Sequence, residues 1–136
     1  MKTILTTLPI ILLLLIACKK EDNLIANTPL IGEWGGKGIQ VLASDSEVSF
    51  NFDCATGLIN RKVMVNSNQF LERGTFTPSA GNRPITEDFP KPQNVQYEAK
   101  IAGNDINLDI KSEDGKTLIG TYTLTKNVTG KLFRCL

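Results

Sequence analysis

Three cysteines are the residues of this 136-residue chain that are most able to take part in chemical reactions, because the chain contains no histidine. Cys18, Cys54 and Cys135 are spaced far too widely to form a CxxC redox motif. A cysteine or serine nucleophile normally depends on a histidine base, and most zinc sites use histidine or several thiolates. We therefore predict no catalytic residue, no metal ligand and no cofactor.

Carboxylates are the remaining candidates for acid–base chemistry. Two-carboxylate glycoside hydrolysis needs only aspartate or glutamate, so a carboxylate-based hydrolase stays open as an alternative. It is the least favoured of the alternatives. The acids are scattered along the chain, and isolated carboxylates on a charged surface are usually only solvated. The acids considered for this role are Glu33, Glu72, Glu87 and Asp88.

The charges of the chain are nearly balanced. Fifteen lysines and arginines face fourteen aspartates and glutamates, for a formal net charge of +1. A nucleic-acid-binding domain needs a basic patch or stripe to neutralise phosphates. We therefore predict no nucleic-acid partner.

The N-terminal segment has the features of an export signal. Lys2 precedes an apolar run over residues 4–16, which is too short for a membrane-spanning helix. The run ends in Leu15-Ile16-Ala17-Cys18, which resembles the lipobox of bacterial lipoprotein precursors. The resemblance implies cleavage before Cys18, a diacylglycerol on its sulfur and often an acyl group such as palmitate on the new amino group. An ordinary secretory signal that happens to contain a cysteine is the alternative.

The segment after Cys18 bears on localisation. It begins Lys19-Lys20-Glu21-Asp22, without the aspartate that retains many lipoproteins in the inner membrane of enteric bacteria. A lysine followed by two acids resembles the surface-export signal of Bacteroidota lipoproteins, although a plain solvated tether has the same composition. These resemblances imply a lipid anchor in the outer membrane, on its periplasmic face or at the cell surface. They also imply contact with the lipoprotein processing and sorting machinery.

The same signal divides the chain. We predict a signal peptide over residues 1–17, a lipidated flexible tether over 18–29 and a single β domain over 30–136. Export would place Cys54 and Cys135 in an oxidising compartment, where two leftover cysteines usually pair, so we predict a disulfide between them. Cys54 is expected to share a strand face with Phe50 and Phe52, and Cys135 to lie on a final strand over 132–136.

Apolar and polar side chains alternate through most of the domain, which is typical of half-buried β-strands. Eight or nine short runs of this kind, joined by short connections, predict an all-β fold. We favour a small antiparallel up-and-down barrel, because closure hides the sheet edges, over a two-sheet β-sandwich. Turns are predicted at Ser44-Asp45-Ser46, Ala55-Thr56-Gly57, Gly103-Asn104 and Asp114-Gly115.

One connection is long. Residues 78–94 contain four of the six prolines of the chain, and long loops without secondary structure are often functional. We predict that this loop lies at one end of the strands and contacts a ligand or partner; a surface insertion without function is the alternative. Its candidate contact residues are Arg83, Glu87, Asp88, Phe89 and Lys91.

Two further resemblances concern the domain. Gly32-Glu33-Trp34 resembles the Gly-x-Trp opening of lipocalin-like and avidin-like barrels, which implies that Trp34 plugs one barrel end and that Arg134 packs on its ring. A wider set of short motifs is similar to an uncharacterised family of short exported bacterial β proteins, which implies no activity. These motifs lie at Gly32–Gly36, Phe52–Ala55, Gly74–Phe76, Gly120–Leu124 and Leu132–Leu136.

Three function classes follow from the sequence. The first is a non-catalytic interaction module that contacts another envelope protein or a glycan. The second binds a small apolar or amphipathic ligand in the barrel mouth, and the third is the carboxylate hydrolase. A filled barrel interior favours the first class, whereas a continuous apolar cavity of roughly several hundred Å³ favours the second.

Overall fold

A computed structural model describes residues 27–81, 89–133 and 135, and all regular secondary structure in them is β-strand. Eight strands close into an antiparallel barrel, which confirms the predicted barrel over the sandwich. The strands are β1 (Thr28–Pro29), β2 (Gly32–Gly36), β3 (Ile39–Ala43), β4 (Val48–Phe52), β5 (Ala55–Ile59), β6 (Met64–Val65), β7 (Gln69–Pro78), β8 (Gln93–Ala102), β9 (Asp105–Ser112) and β10 (Leu118–Lys126).

The barrel strands pair in the order β10-β2-β3-β4-β5-β7-β8-β9, and β10 closes the ring by also pairing with β9. The β10–β2 seam is short, with Thr125 opposite Gly35 and Lys126 opposite Trp34. Strands β1 and β6 form a separate two-stranded sheet. Closure leaves none of the eight barrel strands as a free edge that could pair with another chain.

The two ends of the barrel differ. The β1 end, as we call it, carries the β1–β6 sheet, the 44–47 turn and the Gly103-Asn104 turn. The disulfide end carries the Asp53-Cys54 turn, the connection over 79–92 and the turn over 113–117. The hairpins predicted at Ser44-Asp45-Ser46, Gly103-Asn104 and Asp114-Gly115 are confirmed, because each turn joins two paired strands.

Other predicted boundaries are wrong. The predicted turn Ala55-Thr56-Gly57 is part of β5, which continues to Ile59. Strands β7 and β8 reach Pro78 and Gln93, so the long connection covers 79–92 rather than 78–94. Thr28 and Pro29 belong to β1, although the predicted flexible tether extends to residue 29. The described residues of the C-terminal segment form no strand.

Aromatic rings fill the centre of the barrel. The fully buried rings of Tyr97 and Phe50 stack with centroids 4.3 Å apart, and Phe52 lies 6.1 Å from Phe50. The Tyr97 hydroxyl donates to the carbonyl oxygen of Thr75 at 2.7 Å, and burial raises the pKa of that hydroxyl far above its usual value. A Cβ at Gly57 would collide with this hydroxyl, so glycine is required there for Tyr97 to fit.

Candidate functional site

The filled interior decides where a site can lie. Phe52 contacts Phe76 and Tyr122 at centroid distances of 5.4 and 5.0 Å, which extends the aromatic packing from Phe50 towards the disulfide end. Small barrels are often filled by their own side chains rather than by a ligand. The candidate site must therefore lie on the outer surface or at a barrel end.

Cys54 and Cys135 form a disulfide, with their Cα atoms 5.4 Å apart. This confirms the predicted pairing and falls within the usual range of Cα separations. The predicted orientation of Cys54 is wrong: the residue is exposed in the turn after β4, whereas Phe50 and Phe52 are buried. Strand β4 ends at Phe52, so Cys54, two positions later, lies on the rim of the barrel rather than in its interior.

The disulfide fixes a C-terminal segment that runs back outside β2. The segment reverses at Asn127, whose φ is 58° and whose N–H donates to the Glu33 carbonyl oxygen. Lys131 then pairs with Lys37 in a parallel bridge. The Phe133 N–H donates to the Asp53 carboxylate at 2.7 Å. The C-terminal residues are thus held by backbone hydrogen bonds and the disulfide, and not by the predicted final strand.

We expect Cys54→Ser combined with Cys135→Ser to lower the free energy of unfolding by about 2–4 kcal/mol, because the bond spans 81 residues and constrains the unfolded chain. Chemical denaturation of the two proteins measures the difference. A thiol titration of the folded native protein provides the control and should find neither of these cysteines reactive. Equal stability of the two proteins would contradict the structural role.

Large apolar side chains are exposed around Asp53. Phe133 is 63% exposed and follows the hydrogen bond to Asp53, while Phe89 is 44% exposed and lines a cleft of about 350 Å³ together with Asp53 and Phe52. Exposed apolar patches on small proteins often mark interaction sites. We call this region the disulfide-end surface; it consists of Asp53, Phe89, Leu132, Phe133 and the disulfide.

Tyr122 lies beneath this surface, half-buried against Phe52. Burial, and then the negative charge of Asp53, raise the pKa of its hydroxyl. The Asp53 carboxylate is also the acceptor for Phe133. Asp53 therefore organises this end of the barrel, a role that its place in a predicted strand did not suggest.

The predicted loop residues are only partly described. Phe89 lines the cleft, as a contact residue should, and Lys91 is exposed. Arg83, Glu87 and Asp88 lie outside the described residues. Cys18, the predicted lipidation site, lies outside them as well.

Trp34 is buried at the β1 end, with 5% of its surface exposed. The cation over its ring among the described residues is Lys126, whose Nζ lies 5.7 Å from the ring centroid. Arg134, the predicted partner of Trp34, lies outside the described residues. The position of Lys126 on this face could have been predicted from the sequence, because it follows Tyr122 and Leu124 at alternate positions of β10.

The candidate acids do not converge. The Glu72 carboxylate pairs with Arg61 at 2.9 Å, and Glu33 accepts a hydrogen bond from Gln40 at 3.0 Å. The described residues contain no group of three histidine, cysteine, aspartate or glutamate side chains that could hold a metal ion. The two candidate carboxylates that the structure describes therefore have separate partners, and Glu87 and Asp88 lie outside the described residues.

The chain matches no protein-family model, and searches of curated proteins and of solved structures give no significant match. The parts of the chain that the structure describes contain no apolar helix of membrane-spanning length. Any assignment of function therefore rests on the geometry of the barrel and on the residues at its two ends.

Proposed function

We propose that this protein is a lipid-anchored envelope lipoprotein whose barrel is a non-catalytic interaction module. It contacts another envelope protein through the disulfide-end surface. The lipid on Cys18 attaches the chain to the outer membrane, and the residues that follow Cys18 connect the lipid to β1.

The exposure of Phe89 and Phe133 beside Asp53 carries this proposal. Aromatic side chains are enriched at protein interfaces and provide much of the binding energy there. The exposed ring of Phe133 is also held in place, because the disulfide and the bond to Asp53 fix the segment that carries it. A fixed ring loses little conformational entropy when a partner covers it.

The direction of the tether agrees with this use of the surface. β1 begins at Thr28, at the barrel end opposite Asp53 and the disulfide. A lipid on Cys18 would hold the β1 end towards the membrane. The disulfide-end surface would then point away from the membrane, where a partner can reach it.

A second candidate function rests on the cleft beside Phe89. Its volume of about 350 Å³ falls within the range of small-ligand pockets, and Phe52 and Pro78 supply apolar walls. A small amphipathic ligand bound there would lie in the mouth of the barrel rather than in its interior. A bound protein supports the interaction module, whereas a bound small molecule supports ligand binding in the cleft.

Site-specific photo-crosslinking in intact cells tests the proposal. A photoreactive residue at position 133 should give a discrete protein adduct, because the proposed partner covers this position. Leu71 is the matched control, since its 62% exposure equals that of Phe133 within 1% and it lies on the barrel wall. The same probe at position 71 should give no such adduct. Equal crosslinking at both positions, or none at position 133, would contradict the proposal.

A further inference from the structure

A small cavity lies at the β1 end, far from the disulfide-end surface. Its volume is about 250 Å³, and it lies between β1, the indole of Trp34 and the last residue of β10. Most of its lining is aliphatic. The aliphatic lining residues are Pro29, Leu30, Ile31, Val65 and Ile101.

One buried hydrogen-bond donor belongs to a residue that lines this cavity, and an exposed lysine lies over the same ring. The Nε1 atom of Trp34 is shielded from solvent and has no hydrogen-bond partner among the described residues. No described carboxylate forms an ion pair with Lys126, the cation over the same indole. Buried donors in native proteins nearly always have a partner, and an exception calls for an unobserved water, ion or ligand.

We propose that this cavity binds a short aliphatic carboxylate. The indole N–H and the ammonium are both donors without acceptor capacity, so the complementary group is a negatively charged acceptor. In the complex a carboxylate oxygen accepts the hydrogen bond of Trp34 Nε1, and the charge of Lys126 faces the same carboxylate. The hydrocarbon chain packs on the aliphatic lining.

The volume sets the length of this ligand. A water molecule occupies about 30 Å³ of the liquid, so the cavity has room for roughly eight non-hydrogen atoms. Hexanoate has this size. A longer acid would have to extend past the rim of the cavity.

Contact between the ligand and Trp34 Nε1 requires a movement of the surrounding residues, because this atom is shielded from solvent. The β1–β6 sheet is small, with Thr28 opposite Val65 and Pro29 opposite Met64. A hydrogen bond from the Leu30 N–H to the Val63 carbonyl oxygen at 2.9 Å fastens it to the barrel. In the proposed complex this sheet, which lines the cavity, lifts so that the carboxylate reaches Trp34 Nε1.

Trp34 is the single tryptophan of the chain, so its fluorescence reports on this site directly. We expect hexanoate to change the emission of the purified full-length mature protein in a saturable manner in a non-ionic detergent. Hexanol, which has the same chain without the charge, is the control and should bind at least about tenfold more weakly, as expected for the loss of a hydrogen bond to a charged group. No saturable response to hexanoate, or an equal response to hexanol, would overturn the proposal.

Matched lysine variants locate the response. Lys126→Met should weaken hexanoate binding about two- to fivefold, as expected for an exposed charge pair, whereas Lys131→Met, at an exposed lysine on the other side of the β10 reversal, should leave it unchanged. Equal effects of the two variants would contradict the assigned site. A response seen only after Glu21→Gln and Asp22→Asn would show that the chain's own carboxylates occupy the cavity, which also overturns the proposal. None of these outcomes depends on the crosslinking at position 133.

Discussion

Replacing Phe50 with alanine is expected to lower the free energy of unfolding by about 3–5 kcal/mol, the usual range for a phenylalanine removed from a packed core. Phe50 is 2% exposed, and its ring lies between those of Tyr97 and Phe52. Its removal would leave a cavity that the closed barrel cannot collapse, because the ladders on both sides of β4 fix the backbone. Urea denaturation of the two proteins measures the loss.

Leu42 provides the control for this prediction. It lies on the neighbouring strand β3 but is 50% exposed, so Leu42→Ala should change the stability by no more than about 0.5 kcal/mol. Similar losses for the two variants would mean that the aromatic stack is not the centre of the core. A small loss for Phe50→Ala alone would show that the interior tolerates a cavity, which would restore an interior ligand as an explanation.

The strands could be predicted because one face of each is buried against the barrel interior. In β4, Val48, Phe50 and Phe52 point inward and Asn51 is exposed, which is the alternation that the sequence displays. The same reasoning failed at Gly57, where glycine suggested a turn. In the structure this glycine lies within β5, and its missing side chain makes room for the Tyr97 hydroxyl. A close approach of a ring from another strand leaves no local signal in the sequence.

The disulfide end was harder to predict than the core. The pairing of Cys54 with Cys135 followed from the number of cysteines and their predicted compartment. The position of Cys54 on the rim could not be predicted. Its apolar side chain continues the alternation of Val48, Phe50 and Phe52, although the strand itself ends at Phe52. The path of the C-terminal segment depends on single hydrogen bonds, such as that from the Phe133 N–H to the Asp53 carboxylate, which no periodic pattern encodes.

The β1 end combines a resemblance with the alternation of a strand. The Gly-x-Trp resemblance correctly placed Trp34 in a buried position, and it implied a basic residue near the last strand. Arg134 was chosen for its position near the C-terminus. Lys126 has the parity of the buried Leu124 and lies in the β10–β2 seam opposite Trp34, whereas Arg134 lies outside the described residues.

Lipid attachment at Cys18 is the central element of the proposed function, because it would place the barrel in the envelope and would direct the disulfide-end surface away from the membrane. Metabolic labelling with a fatty-acid analogue, followed by separation of membranes, tests it most directly. The native chain and a Cys135→Ser control should carry the label and sediment with membranes, since two or three acyl chains anchor a protein firmly. Cys18→Ser should carry no label. Label retained on Cys18→Ser, or absent from the native chain, would contradict the account.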